Sequence, residues 1–227
     1  MTDFVDIKAA SLEELDEVKA LREQIFVKEE GVPYDAEFDG NELGAVHLLA
    51  RVDGEPVGTM RIRGFGDFVK FERACVIQKF RKTNVASLLM DTAAKYCAVM
   101  GYRKASWLCE EALVSRWQKM GAYVNKEIKP SVQHGVKLIT MRYDLPEVKQ
   151  KININTNPEI LNKKAGYWFD EPIFGRFELV TKAQKQRFEA LSRRVKLLKN
   201  RNEKQVDDWH PPLKDWRPPL KAQPKTR

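Results

Sequence analysis

Along the first 145 residues of the chain, strand-like runs of apolar residues alternate with segments in which apolar residues recur at helical spacing. Short runs rich in β-branched and aromatic residues occupy Phe4–Ala9, Ala45–Val52, Glu55–Arg63 and Phe68–Ile77, and they predict strands. Asp53-Gly54, between the second and third runs, favours a two-residue hairpin turn. The pattern therefore predicts one strand and, after an intervening helix, a three-stranded meander.

Helical spacing of apolar residues marks the segments around the meander. The first begins at Ser11, where Ser11 and Glu14 have the spacing of a capping box, and it ends before Gly31-Val32-Pro33. The second runs from about Asn84 to Met100. The remaining predicted elements are a strand at Lys104–Cys109, a helix at Glu111–Met120, and strands at Ala122–Ile128 and Val136–Asp144.

The order of these elements predicts an α/β fold. Because helices separate the later strands while the meander pairs locally, we expect a mixed central sheet with helices on both faces. The pattern ends near Leu145, and Pro146 with the polar residues 149–157 is typical of a linker. We therefore predict a domain over residues 1–145 and a C-terminal extension over residues 146–227.

The extension contains three distinct segments. Residues 158–179 are rich in aromatic side chains, which we expect to pack on the domain because an exposed aromatic patch is unusual. Residues 180–200 predict a basic amphipathic helix, which docks on its own domain or on a helical or acidic partner. Residues 208–221 repeat Asp-Trp-His/Arg-Pro-Pro-Leu-Lys. This extended repeat suits docking on another protein or on a second copy; alternatively, it clamps the chain's own surface.

Charge divides the chain in the same way. The formal net charge is +8, yet residues 180–227 hold 14 Lys/Arg against five Asp/Glu. The predicted domain is almost neutral, so the basic character of the chain belongs to the extension. The hydrophobic content of 43% supports a real core. No apolar run is long enough to span a membrane, no signal peptide is visible, and the three cysteines lack metal or disulfide spacing. These features predict a cytoplasmic protein.

A basic loop between a strand and a helix is the first candidate site. It joins the strand Phe71–Ile77 to the helix that begins near Asn84. Exposed amides at a helix N-terminus favour an anion, and Arg81 and Lys82 add positive charge. The loop is therefore a candidate cradle for a pyrophosphate group. An ordinary basic loop between a strand and a helix is the alternative.

The element order and this loop resemble the GNAT superfamily of acyl-CoA-dependent N-acyltransferases over roughly residues 3–145. The superfamily's loop reads R-x-x-G-x-G/A, and Arg81, Asn84 and Ala86 stand at its defined positions. Asn84 replaces a glycine, and asparagine is the residue that best tolerates a left-handed backbone in its place. The resemblance implies a mixed, mostly antiparallel central sheet flanked by helices.

A longer run narrows the resemblance. Residues 22–33 read R-E-Q-I-F-V-K-E-E-G-V-P and are followed by Glu37-Phe38-Asp39 and His47-Leu48. This stretch looks like the ElaA-like branch of GNAT proteins, whose run reads R-x-x-V-F-V-x-E-Q-G-V-P. Glu30 stands where that run has glutamine.

The resemblance also implies where acyl-CoA binds. The cofactor would lie where the strand ending at Ile77 diverges from the strand Lys104–Cys109. Backbone groups of Ala74, Val76 and Ile77 would pair with the pantetheine arm. Amides of the loop would hold the pyrophosphate, namely those of Arg81, Lys82, Thr83, Asn84, Val85 and Ala86. An amine would then attack the thioester, and no metal is implied.

Two residues are candidates for proton transfer. Glu72 is the candidate general base; its alternative role is that of an ion-pair partner for nearby arginines. The superfamily often has a tyrosine that protonates the leaving thiolate, but Trp117 occupies that position, and an indole N–H is no proton donor at neutral pH. Either the thiolate leaves unassisted, or Tyr123 substitutes, or catalysis is lost.

Other polar residues are weaker candidates. His47 is interpreted as a hydrogen-bonded structural residue rather than a base, His134 falls in a predicted loop, and Cys109 is expected to be an inert buried thiol. The chain has no Ser/His/Asp arrangement, zinc spacing or Walker loop, which argues against hydrolase, metalloenzyme and NTPase activities.

The leading hypothesis is an N-acyltransferase that uses acetyl-CoA or another acyl-CoA on a primary amine of unknown identity. An acyl-carrier-protein thioester is a variant of the donor, because carrier proteins are acidic and the tail is basic. The alternative hypothesis is a catalytically weak GNAT-fold binding or scaffold protein that acts through its basic tail. Nucleic-acid binding by the basic helix is a third hypothesis, and it predicts steep salt dependence.

Overall fold

A nine-stranded sheet is the framework of the protein. The computed structural model describes residues 3–133, 135–181 and 183–184. Within them the strands are β1 (Phe4–Ala9), β2 (Val46–Val52), β3 (Glu55–Phe65), β4 (Phe68–Val76), β5 (Lys104–Glu110), β6 (Tyr123–Val124), β7 (Ser131–Gln133), β8 (Val136–Asp144) and β9 (Gly175–Glu178). Their order in the sheet is β6-β8-β5-β4-β3-β2-β1-β9, and β7 pairs with β8.

The pairing is antiparallel except at one place. β4 and β5 are parallel, and their pairs run only from Phe68–Lys104 to Lys70–Ser106. Past Ser106 the two strands diverge, while β4 stays paired with β3 and β5 with β8. The expected mixed, mostly antiparallel sheet is therefore confirmed, as is the predicted divergence of these two strands.

Within the described part of the chain, five α-helices are named. They are α1 (Leu15–Arg22), which continues as a π-helix over Glu23–Glu29, α2 (Tyr34–Glu37), α3 (Val85–Val99), α4 (Val114–Gln118) and α5 (Pro158–Leu161). Short 3₁₀ turns occupy Gln78–Phe80 and Glu111–Leu113. No helix among the described residues is long and apolar enough to cross a membrane.

Local signals in the sequence explain where several elements begin and end. The amide of Ser11 donates to a carboxylate oxygen of Glu14 at 3.0 Å, which is the reciprocal half of a capping box. At the hairpin, Asp53 and Gly54 have φ values of 53° and 85°, as a type I′ turn requires. Gly101, with φ at 93°, follows α3 in the left-handed conformation that ends many helices.

α3 supplies the apolar layer beneath the sheet. Its residues Val85, Leu89, Ala93 and Cys97, spaced four apart, are each at most 1% exposed. This stripe packs on β3 and β4, so the N-terminus of α3 is held beside the end of β4.

Two predicted elements differ from those observed. The strand expected over Ala122–Ile128 is limited to β6, because the Asn125 side chain accepts a hydrogen bond from the Glu127 amide at 3.1 Å and turns the chain. The helix expected over Glu111–Met120 consists of a 3₁₀ turn followed by the short α4.

The aromatic segment of the predicted extension packs on the sheet domain. Trp168, Ile173 and Phe174 are buried, and the rings of Trp168 and Phe174 each lie 5.7 Å from the ring of Tyr96 on α3. β9, which follows this segment, adds an edge strand to β1. The first compact unit of the chain therefore continues to Thr181.

Several predictions fall outside the described residues. These are the tandem repeat over residues 208–221, His134, and most of the basic helix over residues 180–200. Of that helix, the structure describes only residues 180, 181, 183 and 184. The second compact unit begins at Lys182. The functional boundary placed after residue 145 stays a prediction.

Candidate active site

The divergence of β4 from β5 opens a cleft in the middle of the sheet. Aromatic rings stand where the pairing ends: the ring of Phe71 lies 6.0 Å from that of Trp107, and Trp107 meets Trp117 edge-on at 5.3 Å. Trp117 belongs to α4, so α4 borders the cleft beside β5. The cleft is therefore bounded by rigid apolar groups, as a site for an extended ligand requires.

A cavity of about 240 Å³ occupies this cleft. Four residues predicted to bind acyl-CoA line it, namely Ala74, Val76, Arg81 and Ala86. The other lining residues are Ile25, Glu30, Met60, Cys75, Leu89, Leu113, Arg116 and Trp117. The loop, the end of β4 and the start of α3 thus meet at one cavity. The other residues predicted to bind acyl-CoA do not line it, namely Ile77, Lys82, Thr83, Asn84 and Val85.

A bulge in β4 shapes the cavity wall. Thr59 pairs with Cys75 and Arg61 pairs with Glu72, so Met60 alone faces two residues of β4, Arg73 and Ala74. Arg73 has φ at 51°, an uncommon value for a residue with a side chain. A bulge takes a residue out of the hydrogen-bond ladder, and this one does so at the cavity wall.

Ion pairs fix the bulge from outside. A side-chain nitrogen of Arg73 lies 2.8 Å from a carboxylate oxygen of Glu37, and the guanidinium also donates to the Ala36 carbonyl at 2.9 Å. The bulge is therefore tied to α2, and the unusual backbone of Arg73 is compensated by these contacts.

The loop predicted to hold pyrophosphate, which we call the phosphate loop (residues 81–86), is already hydrogen-bonded to the chain itself. The Asn84 amide donates to the Val180 carbonyl at 2.9 Å, and the Val85 amide donates to the Thr83 hydroxyl at 3.3 Å. The amides of Arg81 and Thr83 donate to the carbonyls of Gln78 and Phe80 at 3.3 and 3.1 Å. Four of the six amides predicted to hold pyrophosphate are therefore engaged in this conformation.

Asn84 has a different conformation from the one expected. Its φ is −85°, so it does not replace a left-handed glycine, and that interpretation is wrong. Its side chain instead donates to the Glu178 carbonyl and accepts from the Val180 amide, both at 2.9 Å. Asn84 thus clamps the segment that follows β9, which we call the strap (residues 178–181).

Three further predicted binding residues, Arg81, Val76 and Ile77, have internal partners as well. Arg81 donates to the Val76 carbonyl at 2.9 Å and forms an ion pair with Glu29. The Ile77 amide donates to the Val57 carbonyl at 3.0 Å. Binding of pantetheine to Val76 or Ile77 would therefore replace an existing hydrogen bond, and their role stays a prediction.

Glu72 lies within a network of cations. Its carboxylate lies 2.9 Å from Arg61, 2.8 Å from Arg63 and 2.6 Å from Lys70, and its side chain is 7% exposed. Burial alone would raise the pKa of Glu72, but hydrogen bonds from Arg63 and Lys70 and the charge of Arg61 outweigh it and lower the pKa to about 2. A carboxylate held in this way is a weak base, so the geometry favours the ion-pair interpretation, and its catalytic role is untested.

The network continues into the loop after α1. Arg61 is fully buried and binds both carboxylate oxygens of Asp39 at 2.7 Å. Arg22, also fully buried, donates to the Glu37 carboxylate at 2.6 Å. Glu42 lies 3.0 Å from both arginines and completes the connection. Residues that carry the ElaA-like resemblance thus act together to fix this loop against the sheet.

Tyr123 lies apart from the cavity. Its hydroxyl donates to a carboxylate oxygen of Asp144 at 3.2 Å, and its ring is 39% exposed. Tyr123 is absent from the residues that line the cavity, whereas Trp117 is among them. The proposed substitution of Tyr123 for the missing tyrosine therefore has no support from this geometry, and it too is untested.

His47 and Cys109 have the environments of structural residues. A ring nitrogen of His47 lies 3.0 Å from the Glu42 carbonyl, and burial lowers the pKa of the imidazole. Burial also raises the pKa of the Cys109 thiol. Neither group is prepared for nucleophilic or base chemistry.

Comparison of the sequence with known families gives one match. Residues 13–122 match the model of the Acetyltransferase (GNAT) family. Two relatives come from Bacillus subtilis. A "putative acetyltransferase" is 31% identical over 97 residues, covering 41% of this chain and 66% of that protein. The uncharacterized N-acetyltransferase YjcF is 29% identical over 136 residues, covering 60% of this chain and 96% of that protein.

Solved structures share the fold. An acyl-CoA N-acyltransferase from Pseudomonas aeruginosa aligns with a TM-score of 0.56 and 21% identity, over 61% of this chain and 99% of that one. Escherichia coli ElaA gives 0.55 and 22% identity over the same shares. The CoA-dependent acyl-homoserine lactone synthase BjaI, solved with SAM and isopentyl-CoA, aligns with a TM-score of 0.53 and 18% identity. The alignment covers 63% of this chain and 84% of that one. The expected fold class is thereby confirmed.

Proposed function

Because residues 13–122 match the GNAT acetyltransferase family and the sheet domain has the GNAT fold, we propose that this protein is an acyl-CoA-dependent N-acyltransferase. It transfers an acyl group, in the simplest case acetyl, to a primary amine. Its place in the ElaA-like branch is part of the proposal, and it rests on the run of residues 22–33.

The observation that carries the proposal is the cavity at the divergence of β4 and β5. Residues predicted from sequence to bind acyl-CoA, among them Ala74, Arg81 and Ala86, meet there. The pantetheine arm would run along the end of β4, and the pyrophosphate would lie at the N-terminus of α3, where it would replace internal acceptors of the amides, such as the Val180 carbonyl at Asn84. The cofactor is a co-substrate, and the proposal includes no metal.

The reaction needs few groups from the protein. The amine nitrogen attacks the thioester carbonyl, the C–N bond forms, and the C–S bond breaks to release the CoA thiolate. The β4 bulge at Arg73 and Ala74 would offer a backbone N–H to the carbonyl oxygen, where negative charge develops. The nitrogen loses one proton to water, and because Trp117 cannot protonate the thiolate, water returns a proton to the sulfur to form the thiol.

Thermal unfolding with acyl-CoA tests the proposal. Millimolar acetyl-CoA, or a longer acyl-CoA, should raise the melting temperature, because a ligand that binds only the folded state stabilises it. Ala86→Trp, which fills the cavity, should remove this shift, whereas Ala20→Trp on the exposed face of α1 should keep it. No shift for the unmodified protein with any acyl-CoA would contradict the proposal.

We place the enzyme in the cytoplasm as part of the same proposal. The three cysteines are buried and unpaired, and such thiols suit a reducing compartment. The basic tail is proposed to bind an acidic protein partner. Binding to nucleic acid that weakens steeply with salt concentration would instead identify nucleic acid as the partner.

A further inference from the structure

Among the residues that the structure describes, one carboxylate at the cavity has no hydrogen-bond or ion-pair partner, and it is neither of the predicted catalytic residues. We propose that Glu30 binds the acceptor's ammonium group, takes one proton from it to give the neutral amine, and takes the next proton from the nitrogen during the attack. The inference rests on the proposed acyl transfer and adds to it a base and a class of acceptor.

The position of Glu30 follows from the π-helical end of the first helix. The Glu30 amide donates to the Ile25 carbonyl at 3.0 Å, five residues back, which is the hydrogen bond of a π-helix. Ile25 and Glu30 both line the cavity, together with Ala74 and Cys75 from the bulged part of β4. Glu30 therefore lies beside the segment along which the thioester is proposed to bind.

The carboxylate of Glu30 is free to act. Among the described residues it has no ion-pair or hydrogen-bond partner, although its neighbour Glu29 is paired with Arg81. Glu72, by contrast, is held by three cations. A general base must reach the substrate's proton with an unoccupied oxygen, and Glu30 meets this requirement while Glu72 does not.

The charges around Glu30 favour a cationic acceptor. Partial burial and then the carboxylate of Glu110 raise the pKa of Glu30, Arg81 opposes this, and Glu29 and Glu37 add to it. Three carboxylates and the Arg81 guanidinium thus act on the charge of Glu30, and Arg116 is a second cation in the cavity lining. An ammonium group would relieve this repulsion, whereas an anionic acceptor would increase it.

Glu30 also distinguishes this chain from its branch. The ElaA-like run has glutamine at this position, and a glutamine amide cannot accept a proton in catalysis. In the proposed step the amine nitrogen forms the C–N bond and the C–S bond breaks. The bound ammonium group first loses one proton through Glu30 to solvent, which leaves a neutral amine that can attack. The second proton passes from the nitrogen to the Glu30 carboxylate during the attack, and Glu30 returns it through water to the released CoA thiolate.

Thiol release from acetyl-CoA by the full chain tests the inference, with spermidine and L-lysine as cationic probes and water as the background acceptor. Glu30→Gln should lower kcat about 100-fold or more, the range for loss of a general base. Its acetyl-CoA melting shift should equal that of the unmodified protein. Glu30→Asp should recover part of the rate, and Glu23→Gln, on the same π-helix, should change nothing.

The pH profile gives a readout that a structural role would not move. The rate of the unmodified protein should fall as pH drops through a pKa above the usual glutamate range, and Glu30→Gln should lack that limb. A Glu30→Gln rate within threefold of the unmodified protein would overturn the inference and leave the proposed function intact. No thiol release by the unmodified protein above background with these probes would overturn the inference, whereas absence of any acyl-CoA melting shift would overturn the proposed function itself.

Discussion

At the scale of single residues, contacts show which carboxylates hold the fold. Glu72 lies on the central strand, where its residue type and position suggest a base. Its three cationic partners and lowered pKa instead make it part of the buried network around Arg61. A charge buried in this way stabilises only while its partners remain.

Glu72→Gln should therefore lower the free energy of unfolding by about 3 kcal/mol, since it leaves buried cations without a counter-charge. Urea unfolding measures the loss. Glu111→Gln, at an exposed pair with Lys137, is the matched control and should change less than about 1 kcal/mol. Unchanged stability together with a 100-fold loss of kcat would instead identify Glu72 as the base.

The same carboxylate predicts how stability depends on pH. The pKa of Glu72 is about 2 in the folded protein and near 4.5 when unfolded, so its contribution is complete above pH 4.5 and is lost as pH falls towards 2. Unfolding free energy measured across this range should fall more steeply for the unmodified protein than for Glu72→Gln. Parallel curves would contradict the assignment.

Tyr123 gives a second test at this scale. The Tyr123 hydroxyl donates a hydrogen bond to Asp144 outside the cavity. Tyr123→Phe should therefore keep kcat within about twofold of that of the unmodified protein and lower the free energy of unfolding by about 1 kcal/mol at most. Thiol release and urea unfolding measure the two effects. A tenfold fall in kcat with unchanged acetyl-CoA affinity would restore Tyr123 as the acid for the leaving thiolate.

At the scale of elements, the strap connects the end of the sheet domain to the phosphate loop. Three hydrogen bonds of 2.9 Å join Asn84 to Glu178 and Val180, and Thr83 forms a bridge with Thr181. The Val180 carbonyl occupies an amide that the GNAT resemblance assigns to pyrophosphate. Cofactor binding and strap binding should therefore compete at Asn84.

Asn84→Ala should release the strap, because it removes two of those three hydrogen bonds. We expect a loss of about 1–3 kcal/mol in the free energy of unfolding, and tighter acetyl-CoA binding in calorimetry. Asn162→Ala, at the exposed end of α5, should change neither quantity. Weaker acetyl-CoA binding by Asn84→Ala would show that the Asn84 side chain serves the cofactor directly.

The sequence predicts elements well where the deciding interactions are local. The Asp53-Gly54 hairpin, the capping contact of Ser11 with Glu14 and the end of α3 at Gly101 all depend on neighbouring residues. The bulge at Arg73, the π-helical turn that places Glu30 and the pairing of β9 with β1 depend on contacts between distant segments. No short-range pattern encodes them, and the sequence alone therefore favours Glu72 as the candidate base.

At the scale of the whole molecule, the sheet domain and the basic tail are separable in sequence and charge. The described unit that ends at Thr181 contains the cavity, the network and the strap. The excess of Lys and Arg lies in the residues that follow. Catalysis should therefore depend on the first unit and partner binding on the second.

A chain ending at Thr181 should keep its thiol-release rate within about twofold of that of the full chain, since every residue that lines the cavity precedes the cut. The same chain should lose retention on a cation-exchange column, because the excess of basic residues lies after residue 181. Loss of turnover without loss of folding would assign a catalytic role to the tail and favour the scaffold hypothesis.

The most direct test of the central claim is a crystal structure of the full chain with acetyl-CoA. The account predicts that the pantetheine arm lies between β4 and β5 against Ala74 and Val76, with the pyrophosphate at the N-terminus of α3 and the thioester near Glu30. Acetyl-CoA bound elsewhere, or a closed cleft that excludes it at saturating concentration, would contradict the account.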